Sequence, residues 1–270
     1  MVRYLRELVR HRDLLFWLAA KEIKVRYKSP VLGVLWALLV PLLVSLILWV
    51  IFTWVMPVPK MRYPFFLFLI VAMFPWSFFS QSVSAAVMSV LEAGPLIKKH
   101  AFPRALIPLS VVAAHLFNFV VALAVVLGIL FASGLPVSRW VWLLPVVIGL
   151  HVALTTGVAL LVAGLQVRYR DVKYLTEVGL VLWFYLTPIF YPLELVLHAP
   201  PVLGFLYLLN PLVWVVELYR IALLGGSSGP MFLAGPLAVG TAAVVSVGIC
   251  TVGLSIFRRY EPTFADWVMG

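Results

Sequence analysis

Five long stretches without Lys, Arg, Asp or Glu constrain this chain more than any other feature of its sequence. They cover residues 29–59, 63–91, 105–138, 140–167 and 221–257. Each stretch exceeds the roughly 20 apolar residues that a helix needs to cross the hydrocarbon core of a bilayer. A charge at the centre of such a helix costs about 2.5–3.5 kcal/mol on insertion, so these stretches predict membrane spans. We therefore expect an all-α integral membrane protein.

The overall composition supports the same fold class. Hydrophobic residues make up 64% of the 270 residues and charged residues 11%, whereas soluble domains carry roughly 45–50% apolar and about 25% charged residues. The core of one soluble domain cannot bury this much apolar surface. Cys250 is the only cysteine, so the sequence predicts no internal disulfide.

Six spans are predicted, at about residues 31–56, 63–90, 106–133, 141–165, 172–190 and 231–257. The segment 191–230 before the last span contains Pro200-Pro201 and Asn210-Pro211. Proline removes a helix hydrogen bond, and the residue before it disfavours helix. We interpret this segment as an extracytoplasmic region of broken or re-entrant helices, followed after the sixth span by a cytoplasmic tail, 258–270.

The basic residues predict the orientation. With six spans, the segments on one side hold 16 of the 20 Lys and Arg, and the other side holds Lys60, Arg62, Arg139 and Arg220. Basic residues collect on the cytoplasmic side, so both termini of this multi-pass protein are expected in the cytoplasm. The net charge of +10 lies beside membrane segments. Anionic membrane lipids, and no nucleic acid, are the expected counter-charge.

The first 30 residues predict an amphipathic helix that lies in the membrane interface. Phe16, Ala20, Ile23 and Tyr27 recur at helical spacing on one face, and lysines occupy another. A helix with an apolar stripe and a cationic face lies in the plane of the interface. The alternative is a solvated helix that tertiary contacts hold in place.

The sequence offers no energy source of its own. It contains no G-x-x-x-x-G-K-[ST] motif and no Gly-Lys pair, so no phosphate-cradling loop is predicted. The five charge-free stretches carry no ionisable residue that typically couples ions, apart from His115 and His151. No metal site, cofactor or catalytic residue is predicted in this chain. Energy and chemistry are therefore expected to come from a partner protein.

Several segments resemble one family when they are taken in order along the chain. Residues 18–42 (LAAKEIKVRYKSPVLGVLWALLVPL) are similar to the opening of type-2 ABC-transporter permeases of the polysaccharide-export family. Residues 96–108 (LIKKHAFPRALIP) resemble the first coupling loop of that family, and residues 168–172 (RYRDV) its second inside loop. The later pattern matches at TPIFYP (187–192), Asn210-Pro211 and Tyr219-Arg220. The resemblance covers nearly the whole chain, from about Leu14.

The resemblance implies a homodimer that works with two copies of a separate ATPase, which binds ATP and Mg²⁺. These transporters export lipid-linked O-antigen, capsule or teichoic acid polymers through a channel between the two membrane subunits. The inside loops are then the docking elements for the ATPase, with candidate residues Lys98, Lys99, His100, Phe102, Arg104, Arg168, Arg170 and Asp171. The alternative is that these charges only anchor the loops on the cytoplasmic side of the membrane.

A lipid-linked polymer suggests three further kinds of site. Arg26 and Lys28 are placed to bind the lipid diphosphate by charge-assisted hydrogen bonds, or else ordinary anionic lipid. Deep aromatic residues offer faces on which sugar rings stack, the alternative being core packing; they are Trp76, Phe78, Phe79, Trp183, Phe184 and Tyr185. The predicted outer gate comprises Tyr191, Glu194, Glu217 and Arg220.

Two other functions remain open at this point. Within the same architecture, the chain is alternatively an exporter of a drug or a small lipid. A different class is a membrane-embedded lipid-linked glycosyl- or acyltransferase, which needs acid and base groups near one membrane face. The candidates for that chemistry are Glu194, His198, Glu217 and Arg220.

Overall fold

The computed structural model describes residues 2–27, 33–56, 63–100, 102–136, 138–198, 200–226 and 236–264. Every regular element within these ranges is a helix, which confirms the all-α fold class. The helices are α1 Val2–Arg10, α2 Arg12–Tyr27, α3 Gly33–Val50, α4 Phe65–Glu92, α5 Gly94–Lys99, α6 Leu106–Ala132, α7 Leu144–Arg168, α8 Val172–Tyr185, α9 Leu193–Leu197, α10 Pro201–Leu209, α11 Pro211–Leu224 and α12 Pro236–Tyr260. A π-helical turn continues α3, and 3₁₀ turns precede α7 and follow α12.

Five helical segments in the described parts of the chain are long and apolar enough to cross a membrane. They are Leu35–Val55, Phe65–Glu92, Leu106–Ala132, Val141–Arg168 and Leu237–Thr263. A sixth is present if α10 and α11 count as one span, bent by 79° at Asn210. The break that the sequence predicts at Asn210-Pro211 therefore lies at this bend, which fits either a broken span or a re-entrant loop.

The helix expected for the fifth span is shorter than the sequence prediction. Helix α8 has 14 residues and ends at Tyr185 instead of Phe190. At 1.5 Å per residue it is about 21 Å long, less than the roughly 30 Å of a hydrocarbon core. Pro188 explains the early end, because it lacks a backbone N–H and restricts Thr187 to extended conformations.

The N-terminal segment also differs from the single helix that we predicted. It forms two helices, α1 and α2, which meet at His11. Phe16 and Trp17 on α2 are 71% and 68% exposed in the chain by itself. Large apolar side chains at such positions are typical of a helix in the membrane interface.

Helix α4 is the centre of the bundle. It packs against α3, α6, α7, α8 and α11. Helix α11 is buried along its whole length from Leu212 to Leu224. A helix that is buried on all sides belongs to the interior of a bundle. The second half of the bent pair is therefore enclosed by the other helices.

Helices α7 and α12 touch backbone to backbone. A Cβ atom at Gly157 would lie 2.6 Å from backbone atoms of Cys250, and one at Gly253 would overlap the carbonyl group of Gly157. Small residues let membrane helices approach this closely. The sequence predicts such an approach from the glycines of α12. It occurs at Gly253, whereas Gly240 and Gly248 face open space, and Gly235 lies outside the described residues.

We expect Gly253→Ala to destabilise the protein by about 2 kcal/mol, because the added methyl group forces α7 and α12 apart. Thermal unfolding of the detergent-solubilised protein, followed by tryptophan fluorescence, measures the effect. Gly248→Ala on the same helix is the matched control, since a Cβ atom there meets nothing within 4 Å. Equal losses in the two variants would show that the α7–α12 contact does not cause the effect.

Candidate functional site

The first predicted docking loop lies at an open cavity of about 690 Å³. Lys98 and Lys99 end helix α5, and both side chains are exposed, as is His100. The cavity is bounded by α1, by this loop and by the turn after α12. Phe102 is half-buried and packs on a small apolar cluster around Phe257. The lysine side chains of the loop are therefore open to a partner, whereas Phe102 anchors the loop to the chain.

Arg104, a predicted docking residue, lies in a different environment from its exposed neighbours in the loop. It is half-buried, and its backbone N–H donates to Glu261 Oε1 at 2.7 Å. Its guanidinium donates to the carbonyl oxygen of Glu261. The Tyr4 hydroxyl donates to Glu261 Oε2 at 2.8 Å. We call Tyr4, Arg104 and Glu261 the Glu261 clamp, because together they join α1, the docking loop and the turn after α12.

The Glu261 clamp is partly shielded from water. Burial, together with the adjacent carboxylate of Glu261, raises the pKa of Tyr4, so its hydroxyl stays protonated as a donor. Sequence reasoning assigned Glu261 to the tail and gave it no role. Its partners lie 157 and 257 residues away along the chain, and no local pattern signals such contacts.

The second predicted docking loop connects α7 to α8. Arg168, Arg170 and Asp171 are all exposed there. Gln166, which is 3% exposed, holds the loop in shape. Its Nε2 donates to the carbonyl oxygen of Arg170 at 3.1 Å, and its Oε1 accepts from the backbone N–H of Lys173 at 2.7 Å. Gln166 therefore satisfies a free backbone donor at the start of α8.

Both loops contact the end of helix α12. The Arg168 guanidinium lies 5.7 Å from the ring centroid of Tyr260, the last residue of α12. Arg104 of the first loop bonds to Glu261, the next residue along the chain. The two loops that the resemblance implies for docking are thus linked to two adjacent residues at the end of α12, Tyr260 and Glu261, which sequence reasoning did not single out.

The deep aromatic residues of α4 are packed inside the chain. Trp76, Phe78 and Phe79 are 8%, 4% and 0% exposed. Their rings contact others from neighbouring helices, with centroid distances of 5.5 Å for Trp76–Phe184, 5.2 Å for Phe78–Phe119 and 5.1 Å for Phe79–Trp183. Their burial favours core packing over a channel surface. Of the six predicted channel residues, only Tyr185 is exposed, at 59%.

Asn210 holds the bend between α10 and α11. Its Oδ1 accepts from Trp183 Nε1 at 2.8 Å and from the backbone N–H of Leu212 at 3.0 Å. Its Nδ2 donates to the Leu186 carbonyl oxygen at 2.9 Å and to Thr187 Oγ1 at 3.1 Å. The side chain therefore caps α11 and ties the bend to the end of α8. An Asn before Pro is a typical helix-start signal, so the capping role was readable from the sequence.

Contacts place the bend about halfway along the bundle. Trp183, the partner of Asn210, packs against Phe79, which is the fifteenth of the 28 residues of α4. The polypeptide thus turns beside the middle of the central helix. Irregular backbone at that depth needs protein partners for its polar groups, and Asn210 supplies them.

Of the four predicted gate residues, Arg220 contacts the segment that follows α8, and Tyr191 in that segment contacts the end of α8. Arg220 donates to the Ile189 carbonyl oxygen at 3.0 Å and forms an ion pair with Glu217 at 2.6 Å, both side chains being 1% exposed. The Tyr191 hydroxyl donates to the Tyr185 carbonyl oxygen at 2.6 Å. Glu194 is exposed in the first turn of α9.

The predicted diphosphate residues fall mostly outside the described structure. Lys28 is not among the described residues, and of Arg26 only the position near the end of α2 is described. Their binding of a lipid diphosphate or of anionic lipid stays a prediction.

Several helices are apolar and long enough to span a membrane, and they enclose α11, the second half of the bent pair. With two exposed basic loops, these features define a polytopic α-helical membrane protein. The chain belongs to the ABC-2 type transporter family, whose model matches residues 13–224. An O-antigen export system permease protein RfbA of Klebsiella pneumoniae is 33% identical over 255 residues, 94% of either chain. A protein of the same name from Myxococcus xanthus is 34% identical over 266 residues, 98% of this chain and 99% of the relative. The family that the sequence motifs resemble is thereby confirmed.

Proposed function

We propose that this chain is the permease subunit of an O-antigen export system, which moves a lipid-linked polysaccharide outward across the bacterial inner membrane. The observation that carries the proposal is similarity along nearly the whole length of permeases that bear this name. Two copies of the chain form the transport unit with two copies of a separate ATPase, which binds ATP and Mg²⁺. Both termini lie in the cytoplasm.

The ATPase docks on the exposed polar residues of the first loop, Lys98, Lys99 and His100, together with Arg168, Arg170 and Asp171 of the second loop. A displacement of the first loop passes through Arg104 to Glu261 and so to the end of α12. Helix α12 is closely packed on α7 and also contacts α11. This chain of contacts supports a route from the docking loops to the bent helix pair, which serves as the outer gate.

The channel wall in this proposal is the exposed face of α8. Leu175, Val178, Leu182 and Tyr185 recur at helical spacing and are each more than half exposed. In a dimer such a face meets the second copy or the channel between the two copies. Apolar side chains with an aromatic ring give the weak, unselective contacts that a moving polysaccharide needs.

Co-purification from native membranes tests the function. We expect the tagged chain to retain a stoichiometric ATPase whose turnover depends on this subunit, and the loss of the gene to leave the polymer inside the cell. A clean preparation that retains no ATPase and that modifies a lipid-linked sugar by itself would contradict the proposal. That outcome would favour the membrane-enzyme alternative and its carboxylates Glu194 and Glu217.

Tyr185→Ala tests the channel wall. Loss of one stacking surface is worth about 1 kcal/mol, so we expect surface polysaccharide to fall several-fold at unchanged protein level. Gel electrophoresis of the surface polysaccharide measures the effect. Phe131→Ala on α6 is the control, because this aromatic side chain is 80% exposed but lies away from α8 on another helix. Normal export by Tyr185→Ala would remove this face from the channel.

A further inference from the structure

A second cavity, of about 340 Å³, lies on the other side of the first docking loop. It is an open cavity bordered by α2, the second half of α4, α5 and the start of α6. Sites for small molecules have volumes of about 300–1,000 Å³, so one or two small rings fit this space. Its polar side chains are Lys21, Glu22, Ser84, Ser89, Glu92 and Ser110. Leu18, Met88 and Ile107 are among the residues of its apolar wall.

The polar side chains of this cavity are mostly acceptors. The Ser89 hydroxyl donates to the Ala86 carbonyl oxygen and the Ser110 hydroxyl to that of Ile107, each at 2.7 Å. Their donors are therefore used within their own helices, and lone pairs remain for the cavity. The carboxylates of Glu22 and Glu92 only accept hydrogen bonds.

The charges of the cavity further restrict its ligand. The single cationic group, Lys21 Nζ, lies 3.6 Å from Glu22 Oε1. Glu92 adds a second carboxylate to the same cavity. A diphosphate has no donors at neutral pH and would meet two carboxylates, which disfavours it. A neutral ligand with many O–H donors and an apolar face fits these groups.

From this chemistry we propose that the cavity between α2, α4 and α6 is a binding subsite for sugar units of the exported polymer. Sugar hydroxyl groups donate to Glu22, Glu92 and the serines, and the C–H face of the ring packs against Leu18 and Met88. The inference rests on the proposed function and adds to it the place where the polymer is held. Glu22 lies one helical turn before Arg26 along α2, which places the cavity near the predicted diphosphate residues in the sequence.

The test uses the purified complex with its ATPase in lipid nanodiscs. The probe is a fluorescently labelled oligosaccharide, released by mild acid from the host's lipid-linked polymer. We expect Ser84→Leu, which fills the cavity, to weaken binding at least tenfold. Ser80→Leu is the matched control, because it makes the same change one turn earlier on α4 and does not line the cavity; its affinity stays within twofold of wild type.

A second variant keeps the test independent of folding. Glu92→Gln conserves shape at an exposed position and removes one charged acceptor, so we expect at least threefold weaker binding with the ATPase still bound. Wild-type affinity in both Ser84→Leu and Glu92→Gln would overturn the inference. Displacement of the oligosaccharide by inorganic pyrophosphate in a variant with Arg26→Gln and Lys28→Gln would also overturn it, since the cavity itself would then be an anion site.

The same preparations separate this inference from the proposed function. A wild-type complex that holds its ATPase but binds no oligosaccharide overturns the sugar subsite and leaves the exporter intact. A wild-type chain that retains no ATPase and exports no polymer contradicts the proposed function, and the subsite falls with it.

Discussion

Replacement of Arg220 by leucine is expected to destabilise the protein by about 3–5 kcal/mol, because it removes the guanidinium that neutralises the buried Glu217 carboxylate. Both side chains are 1% exposed and 2.6 Å apart. The change also removes the hydrogen bond to the Ile189 carbonyl oxygen and the contact with the Phe68 ring, whose centroid lies 3.6 Å from the guanidinium carbon. Thermal unfolding in detergent and the yield of monodisperse protein measure the loss.

The double variant Glu217→Leu with Arg220→Leu is the control for this prediction. Replacing a buried ion pair by apolar residues is often close to neutral, whereas removing one partner is not. We therefore expect the double variant to recover about half of the lost stability, the remainder reflecting the Ile189 carbonyl group. A double variant as unstable as Arg220→Leu would show that the Ile189 and Phe68 contacts, and not the charge balance, give Arg220 its importance.

Glu261→Gln is expected to lower the stimulation of the ATPase by this subunit about tenfold. A charge-assisted hydrogen bond contributes roughly 1.5 kcal/mol, and the loss of that free energy corresponds to a factor of about ten. Glutamine keeps the shape of the side chain but replaces one acceptor oxygen with an NH₂ group. The amide oxygen then accepts from the Arg104 backbone N–H and the NH₂ group donates to the Tyr4 hydroxyl oxygen, so both contacts lose their charge assistance. The docking loop is then held less firmly against the end of α12. ATP hydrolysis by the assembled complex, divided by that of the ATPase alone, measures the stimulation.

Two companion variants and one control define what the Glu261 clamp does. Tyr4→Phe removes a single hydrogen bond and is expected to have a smaller effect in the same direction. Arg104→Glu, which places a carboxylate against Glu261, is expected to lower stimulation at least as much while the protein still inserts. Asp13→Asn changes an exposed carboxylate of the N-terminal segment and should leave stimulation unchanged. If Glu261→Gln binds the ATPase and stimulates it as strongly as the wild-type protein does, the Glu261 clamp takes no part in coupling.

The amino-acid sequence by itself determined the fold class and the position of the main break. Charge-free apolar stretches are a local property of the sequence. In a bilayer, the backbone polar groups of such a stretch must bond to one another, and a helix satisfies them within the stretch. The break at Asn210-Pro211 was equally local, because proline and its preceding residue restrict their own dihedral angles. The motifs of the two inside loops also identified the family, which needed no three-dimensional information.

The tertiary structure decided which side chains meet. Phe79 and Tyr185 were equivalent candidates in the sequence, yet one is 0% and the other 59% exposed. That difference depends on which face of each helix the bundle covers, and all faces of these helices are similarly apolar. Glu261 and Gln166 acquired their roles only through contacts with distant segments or with the backbone of a loop. A hydrophobic pattern specifies that a helix is buried in lipid or protein, but hydrogen bonds between helices depend on register and orientation, which only the packed chain fixes.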